Sequence, residues 1–170
     1  MLPKHLLNNT RMKKIIIAYG NPDRQDDGAG WYVLNQVSTG MGRIFTDYTD
    51  DFYAALGQDQ DFLFVLQLTP ELVDVLSGYD AVAFIDAKIA VPGDLLQVEA
   101  VQPMASTSPL SHHMSPQALL AYLQDTHNRQ LEAWLITVPG FAFGFSRQLT
   151  EPTVAQADLA VNWLIGWLNP

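Results

Sequence analysis

The stretch Lys13-Lys-Ile-Ile-Ile-Ala-Tyr-Gly-Asn-Pro-Asp-Arg-Gln-Asp-Asp-Gly-Ala-Gly-Trp31 decides how the fold begins. Ile15 to Tyr19 is an apolar run that ends at Gly20, which predicts a strand buried on both faces of a parallel sheet. Apolar residues then recur at helical spacing over 29–37, so a helix follows. The unit is a strand, a loop and a helix.

The loop between this strand and this helix is acidic. We predict Asp26 as the N-cap of the helix and Asp27 in its first turn, at the helix end that favours anions. A dinucleotide-binding fold has bare glycines here, which present backbone N–H groups to a pyrophosphate. The carboxylates of this loop repel phosphate, so it suits a cation or a positively charged substrate group.

Strands and helices are predicted to alternate along the rest of the chain. Further strands are expected at 43–48, 62–66, 81–86, 94–101 and 132–138, a turn of helix around Phe52 to Leu56, and helices that start at Thr69 (N-cap) with Pro70, at Ser115 and near Thr150. This alternation predicts an α/β fold: a three-layer sandwich with a twisted, mostly parallel sheet and helices on both faces.

The length of 170 residues fits one domain, which we place at 13–170 behind an N-terminal extension at 1–12. The extension lacks the apolar core of a secretory signal, and no apolar run reaches transmembrane length, so we expect a cytoplasmic protein. We assign no function to the acidic stretch 49–61.

Composition limits the classes of partner and of metal ligand that the chain can have. Nine basic residues against eighteen acidic ones give a net charge of −9, which disfavours nucleic acid and anionic membrane. Because the chain has no cysteine, any metal contact must come from histidine and carboxylates.

Three groups stand where ligands bind in such folds, at the carboxyl ends of strands. They are Asp27, Asp86 at the end of the strand 81–86, and His112 ahead of the Ser115 cap. Two carboxylates and one imidazole suit nickel, zinc, iron or manganese and leave coordination positions open. Spacing alone does not establish that the three groups meet. The two acids also fit plain capping roles, and His112 also fits a polar loop.

Several segments together carry a resemblance to a known family. Ala18-Tyr-Gly-Asn21 with Asp26-Asp27-Gly28-Ala-Gly30 is similar to a G-x-G-N motif followed by two acids and G-x-G, the signature of the nickel-iron hydrogenase maturation endopeptidases. The resemblance continues through Gln67-Leu-Thr-Pro-Glu-Leu72, Phe84-Ile-Asp-Ala87, Ser111-His-His-Met-Ser-Pro116 and Thr137-Val-Pro-Gly140. It departs at Ala18, where the family has glycine, and at 67–70, where some members have a D-G-G-T-like turn.

The resemblance implies a twisted sheet between helices and a peptidase that removes the C-terminal extension of a hydrogenase large-subunit precursor after nickel insertion. By motif position the residues that contact the metal and carry catalysis become Asp27, Asp86 and His112, with His113 as a rival for the third role. The nickel is expected to arrive with the precursor, and no organic cofactor is implied.

Two mechanisms stay open under that resemblance. The metal polarises the scissile carbonyl or activates a water, or a carboxylate acts as general base while nickel positions the chain. Two other functions stay open as well: a non-catalytic module that binds or chaperones the nickel-containing precursor, and a stand-alone metal-dependent amidase.

The segment Pro139-Gly-Phe-Ala-Phe-Gly-Phe145 carries three aromatic residues at period two. If the segment is extended, Phe141, Phe143 and Phe145 form one apolar strip. The strip either packs inward onto the core or serves as a docking surface for the large subunit.

Overall fold

A computed structural model describes residues 11–43, 52–105 and 114–169, with only the backbone of Phe52 and Tyr53. Its strands are β1 Lys14–Tyr19, β2 Phe52–Ala55, β3 Gln60–Val65, β4 Ala81–Ile89, β5 Gln97–Ala100 and β6 Glu132–Gly140. Its α-helices are α1 Ala29–Gly40, α2 Leu72–Leu76, α3 Pro116–His127 and α4 Glu151–Leu168, and one 3-10 turn, Gln25–Gly28, precedes α1.

The described strands form one sheet in the order β2-β3-β1-β4-β6-β5. The four inner strands are mutually parallel, and β2 and β5 run antiparallel at the two edges. The helices lie in pairs on opposite faces, as the two core clusters show: α2 and α3 pack on one face, α1 and α4 on the other. The predicted three-layer α/β sandwich with a mostly parallel sheet is confirmed.

Strand β1 shows why a continuous apolar run specifies the centre of this sheet. Its side chains alternate between the two cores: Ile15 and Ile17 face α2 and α3, whereas Ile16 and Ala18 face α1 and α4. All four are fully buried. Hydrophobic burial on both faces therefore stabilises β1, and residues 15–18 include no polar position.

The inner strands differ in length at their carboxyl ends. Strand β1 pairs with β4 as far as Ala18 opposite Ile85. Strand β4 continues beside β6 as far as Ile89 opposite Gly140. The sheet thus has a step beside the end of β1, and the loop that follows β1 starts at this step.

Two local predictions were wrong. Residues 52–55 form β2, not a turn of helix, because this segment pairs with the free edge of β3. The helix predicted from Thr69 begins at Leu72, after turns in which Leu72 and Val73 donate to the carbonyls of Thr69 and Pro70. The strand predicted at 43–48 lies, apart from Arg43, outside the described residues, and so do residues 1–10 of the predicted extension.

The remaining predicted elements are confirmed with shifted ends. Strand β4 runs three residues past Asp86, and β5 occupies only the second half of 94–101. The Ser115 side chain caps α3 by accepting from the Ala118 N–H at 3.2 Å. Within the described ranges, none of the helices combines the length and apolar character that crossing a bilayer requires.

Gly30 lets α1 approach the sheet closely. A Cβ atom at this position would lie 3.1 Å from the Tyr19 carbonyl oxygen, 3.3 Å from the Ala18 Cβ and 3.4 Å from the Ile85 carbonyl oxygen. Two of these neighbours are backbone atoms of inner strands, which cannot move aside cheaply. The second glycine of the acidic motif is therefore a packing requirement.

We predict that Gly30→Ala lowers the free energy of unfolding by about 1–2 kcal/mol, because the added methyl overpacks the α1–sheet contact. Gly166→Ala is the matched control, since a Cβ there meets no atom within 4 Å. In the interior of α4 this substitution should stabilise by about 0.5–1 kcal/mol. Urea unfolding of both variants measures the two changes, and equal effects of the same sign would contradict the close approach at Gly30.

Candidate functional site

An acidic cleft of about 260 Å³ opens at the carboxyl ends of β1 and β4. It is lined by Tyr19, Gly20, Asp27, Leu66, Gln67, Leu68, Asp86 and Met114. The two carboxylates chosen from the sequence therefore share one cleft, which spacing alone could not establish. The segment after β3 forms the opposite wall.

Gly20 positions Asp27. Its φ of +135° turns the chain away from the sheet, and a Cβ there would lie 2.3 Å from the Asp27 carbonyl oxygen. The Asn21 N–H donates to the Asp27 carboxylate at 2.9 Å. Asp27 lies in the 3-10 turn that precedes α1, so it is not in the first turn of that helix. The loop folds back on itself and presents this carboxylate beside the end of β1.

Asp26 has a different role from the one predicted. The N-cap position of α1 is Gly28, without a side-chain cap, so the assignment of Asp26 as N-cap was wrong. Its fully buried carboxylate accepts four hydrogen bonds from two other segments. They come from the N–H groups of Phe141 (2.8 Å), Ala142 (3.0 Å) and Thr150 (2.8 Å) and from the Thr150 hydroxyl (2.8 Å). These distant donors outcompete the nearby helix start for the carboxylate.

Backbone contacts extend this attachment. The Asp26 N–H donates to the Ala142 carbonyl at 3.1 Å, and the Gln25 N–H donates to the Ser146 carbonyl at 2.7 Å. An ion pair of 2.5 Å joins Arg147 to Asp23. The loop that carries Asp27 is thus fastened along its length to the segment between β6 and α4, which limits how far Asp27 can move.

Asp86 lies on β4 where the sheet steps, and it is partly buried. Burial raises the pKa of Asp86 to about 6, and the negative charge of Asp27 raises it as well. Hydrogen bonds from the Tyr19 hydroxyl and the Ala87 N–H oppose this increase. Burial, and then the same carboxylate, raise the pKa of the Tyr19 hydroxyl, which therefore stays protonated as the donor.

Tyr19 is the site residue that sequence reasoning missed. It was interpreted only as the last residue of the buried strand. The alternation of side chains along β1 could have identified it. Tyr19 shares a face with Ile15 and Ile17, and it is the residue at which that face reaches the carboxyl edge of the sheet.

His112 and His113 lie outside the described residues, so the third proposed contact stays a prediction. Met114, the first described residue after them, lines the cleft. Among the residues that the structure describes, no three acidic or histidine side chains form a cluster that could hold a metal. The roles of Asp27 and Asp86 as metal contacts and catalytic groups likewise stay predictions.

The aromatic segment after β6 is not a continuation of that strand. Strand β6 ends at Gly140, and the ring of Phe143 packs against this glycine. Phe141 and Phe143 are half-buried, whereas Phe145 is 99 % exposed. The three rings therefore do not form the single strip that an extended segment would give.

No protein-family model and no curated protein matches the chain. Solved structures do match it. The NiFe hydrogenase maturation protease HycI from Thermococcus kodakarensis KOD1 superposes with a TM-score of 0.63 at 16% identity, over 94% of each chain. The hydrogenase maturating endopeptidase HybD from E. coli gives a TM-score of 0.67 at 15% identity, over 92% of each chain.

The chain has the fold of the hydrogenase maturation proteases. A third such structure, the hydrogenase 2 maturation peptidase from Thaumarchaeota archaeon SCGC_AB-539-E09, gives a TM-score of 0.57 at 19% identity, over 92% of this chain and 98% of that one. The motif resemblance found in the sequence is thus accompanied by a likeness of fold over nearly the whole chain.

We predict that Asp26→Asn lowers the free energy of unfolding by about 3 kcal/mol near neutral pH, because it leaves buried donors facing an amide. Burial by itself raises the Asp26 pKa, but hydrogen bonds from Thr150 and Phe141 outweigh it and hold the pKa below its ordinary 3.8. A lowered pKa stabilises the fold above the unfolded-state value and loses this contribution as the pH falls through the folded-state value.

Denaturant unfolding at a series of pH values tests this. The stability gap between the wild type and Asp26→Asn should be constant above the ordinary carboxyl pKa of 3.8 and should shrink below it. A gap that persists unchanged into strong acid would show that the ionised carboxylate is not the stabilising form.

We further predict opposite shifts of the Asp86 pKa in two variants. Tyr19→Phe removes a hydrogen bond to the carboxylate and should raise the pKa above its value of about 6, whereas Asp27→Asn removes a like charge and should lower it. Carboxyl-carbon NMR titration of the wild type and both variants gives the three values. A wild-type value near 4, or shifts in the same direction, would refute the arrangement.

Proposed function

We propose that this protein is an endopeptidase that removes the C-terminal extension of a nickel-iron hydrogenase large-subunit precursor after nickel insertion. The observation that carries the proposal is that Asp27 and Asp86 share one cleft at the carboxyl edge of the sheet. The fold is similar to those of a NiFe hydrogenase maturation protease and a hydrogenase maturating endopeptidase. The sequence motifs that resemble this family provide the same two acids.

The nickel ion in this proposal belongs to the substrate. Asp27, Asp86 and His112, or His113 in place of His112, would contact nickel that the precursor already holds. Oxygen and imidazole ligands suit a borderline cation and leave positions for the precursor's own groups. An acidic cleft with two neighbouring carboxylates also favours a cation electrostatically, since a positive charge relieves their repulsion. Cleavage would then depend on a loaded precursor.

Asp86 also has the acid–base properties that hydrolysis needs. With its pKa at about 6, it is mostly ionised at neutral pH yet more basic than an ordinary aspartate. Such a carboxylate can take a proton from an attacking water, while the Tyr19 hydroxyl fixes its orientation. Polarisation of the scissile carbonyl by the precursor's nickel is the other chemistry that fits the same cleft.

The proposed partner is a protein. A net charge of −9 makes nucleic acid and anionic membrane unsuitable partners, and we place the reaction in the cytoplasm. No organic cofactor enters the proposal, because a carboxylate and a metal-polarised bond suffice for hydrolysis.

The intact mass of a cognate large-subunit precursor, incubated with this protein with and without nickel, tests the proposal. The wild type should produce a nickel-dependent mass loss equal to the C-terminal extension. Asp27→Ala should reduce processing by at least about 100-fold with the fold intact, because it removes a positioning or proton-accepting group. Asp125→Ala is the matched control, because this exposed residue of α3 lies outside the cleft and should process normally.

Two results would change the assignment. A folded Asp27→Ala variant that still cleaves would remove Asp27 from the site. An unchanged precursor mass together with stable, nickel-dependent association would favour the non-catalytic binding or chaperone module instead. Circular dichroism of each variant shows whether a loss of processing reflects unfolding.

A further inference from the structure

The step in the sheet leaves part of β4 without a described partner strand on one of its two sides. On one side, β4 pairs with β6 through Ile89. On the other side its pairing with β1 stops at Ile85, because the chain turns away at Gly20. Asp86–Ile89 is thus an edge, the open β4 edge, that no described strand pairs on the β1 side.

The register identifies which backbone groups face this edge. The Ala90 N–H donates to the Gly140 carbonyl at 3.0 Å, so Ala90 faces β6. Backbone groups of successive residues in a strand point alternately to its two sides. The N–H and C=O groups of Ala87 and Ile89 therefore point away from β6, toward the side on which the pairing with β1 has ended.

Within the part of the chain that the structure describes, most of these groups have no hydrogen-bond partner. The Ala87 N–H donates a hydrogen bond to the Asp86 carboxylate. For the Ala87 C=O and for the N–H and C=O of Ile89, no partner is found among the described residues on that side. Two acceptors and one donor thus form the beginning of an unfinished hydrogen-bond ladder.

The open β4 edge adjoins the cleft. Its first residue is Asp86, which lines the cleft together with Asp27. Its outer part is accessible, with Ile89 81 % exposed. Lysines often block such edges, but the Lys88 ammonium donates to Gln97 on β5 at 3.1 Å and so is directed away from the β1 side.

We propose that the open β4 edge binds an extended segment of the peptide substrate by strand addition. This inference rests on the proposed function and adds the binding mode. An extended peptide supplies the alternating donors and acceptors that this edge lacks, and four residues give a contact about 13 Å long at ~3.3 Å per residue. The segment then leads directly to Asp86 and Asp27. Because the contacts are to backbone, they hold the chain without reading its sequence.

The first test compares two variants at one position with the nickel-loaded precursor as the probe. Ile89→Pro removes the N–H that faces the edge, whereas Ile89→Ala keeps it and removes most of the side chain. We expect the Kd of Ile89→Pro for the precursor to be about 3–10-fold weaker than that of Ile89→Ala, as for the loss of one hydrogen bond. Equal Kd values in two folded variants would overturn the strand addition.

Folding is checked by thermal unfolding. Because the Ile89 N–H does not serve β6, Ile89→Pro should unfold at a higher temperature than Ala90→Pro, which breaks the bond to the Gly140 carbonyl. The reverse order would show that the backbone groups of Ile89 face β6 and would overturn the proposal.

The second test leaves the protein unchanged and modifies the probe. Precursors with single N-methylated residues, made by ligating a synthetic C-terminal segment, should bind wild-type protein more weakly at every second position of the segment beside the edge. A scan without alternation would overturn strand addition even when cleavage of the unmodified precursor is normal. A wild-type protein that binds and cuts no loaded precursor would instead refute the proposed function.

Discussion

The candidate site depends on a buried carboxylate that takes no part in lining it. Asp26 collects four hydrogen bonds from Phe141, Ala142 and Thr150, and thereby holds the loop after β1 against the segment between β6 and α4. A buried carboxylate is stable only when its oxygens are satisfied, so this set of bonds fixes the loop's position. Asp27, the next residue, receives its place beside the cleft from that constraint. The two adjacent acids thus have different roles: Asp26 holds the loop in place, and Asp27 lines the cleft.

The cleft itself keeps two negative groups close together. Asp86 resists ionisation because it is partly buried and near Asp27, and the Tyr19 hydroxyl offsets part of this cost. Such a site is not optimised for the stability of the isolated chain. Repulsion between neighbouring carboxylates is typical of sites that bind a cation or a reacting group.

The sequence predicted the architecture well because burial periodicity is a local signal. The apolar runs of β1, β3 and β4 needed no knowledge of their partners. Prediction from the sequence failed where contact with a residue far along the chain decides the local structure. Residues 52–55 became a strand because the edge of β3 lay free, and Asp26 left its helix because donors more than a hundred residues away bind it better.

The site was predictable to a similar extent. The rule that ligands gather at the carboxyl ends of parallel strands selected Asp27 and Asp86, and both line one cleft. Tyr19 was not predicted as a site residue because an aromatic residue at the end of a buried apolar run looks like one more core residue in the sequence. Only the three-dimensional step between β1 and β4 shows that its hydroxyl reaches a carboxylate.

The order of the strands has a consequence for how the protein is made. Strand β5 precedes β6 in the chain, yet in the described sheet its only neighbour is β6, which lies between it and β4. As the chain emerges from the ribosome, β5 has no place in the sheet, and the whole length of β4 stays unpaired on that side until β6 appears. At synthesis rates of about 5–20 residues per second this state lasts a few seconds, long enough for neighbouring nascent chains to compete for the same edge. Until β6 is made, this edge of β4 is therefore open to pairing with another chain.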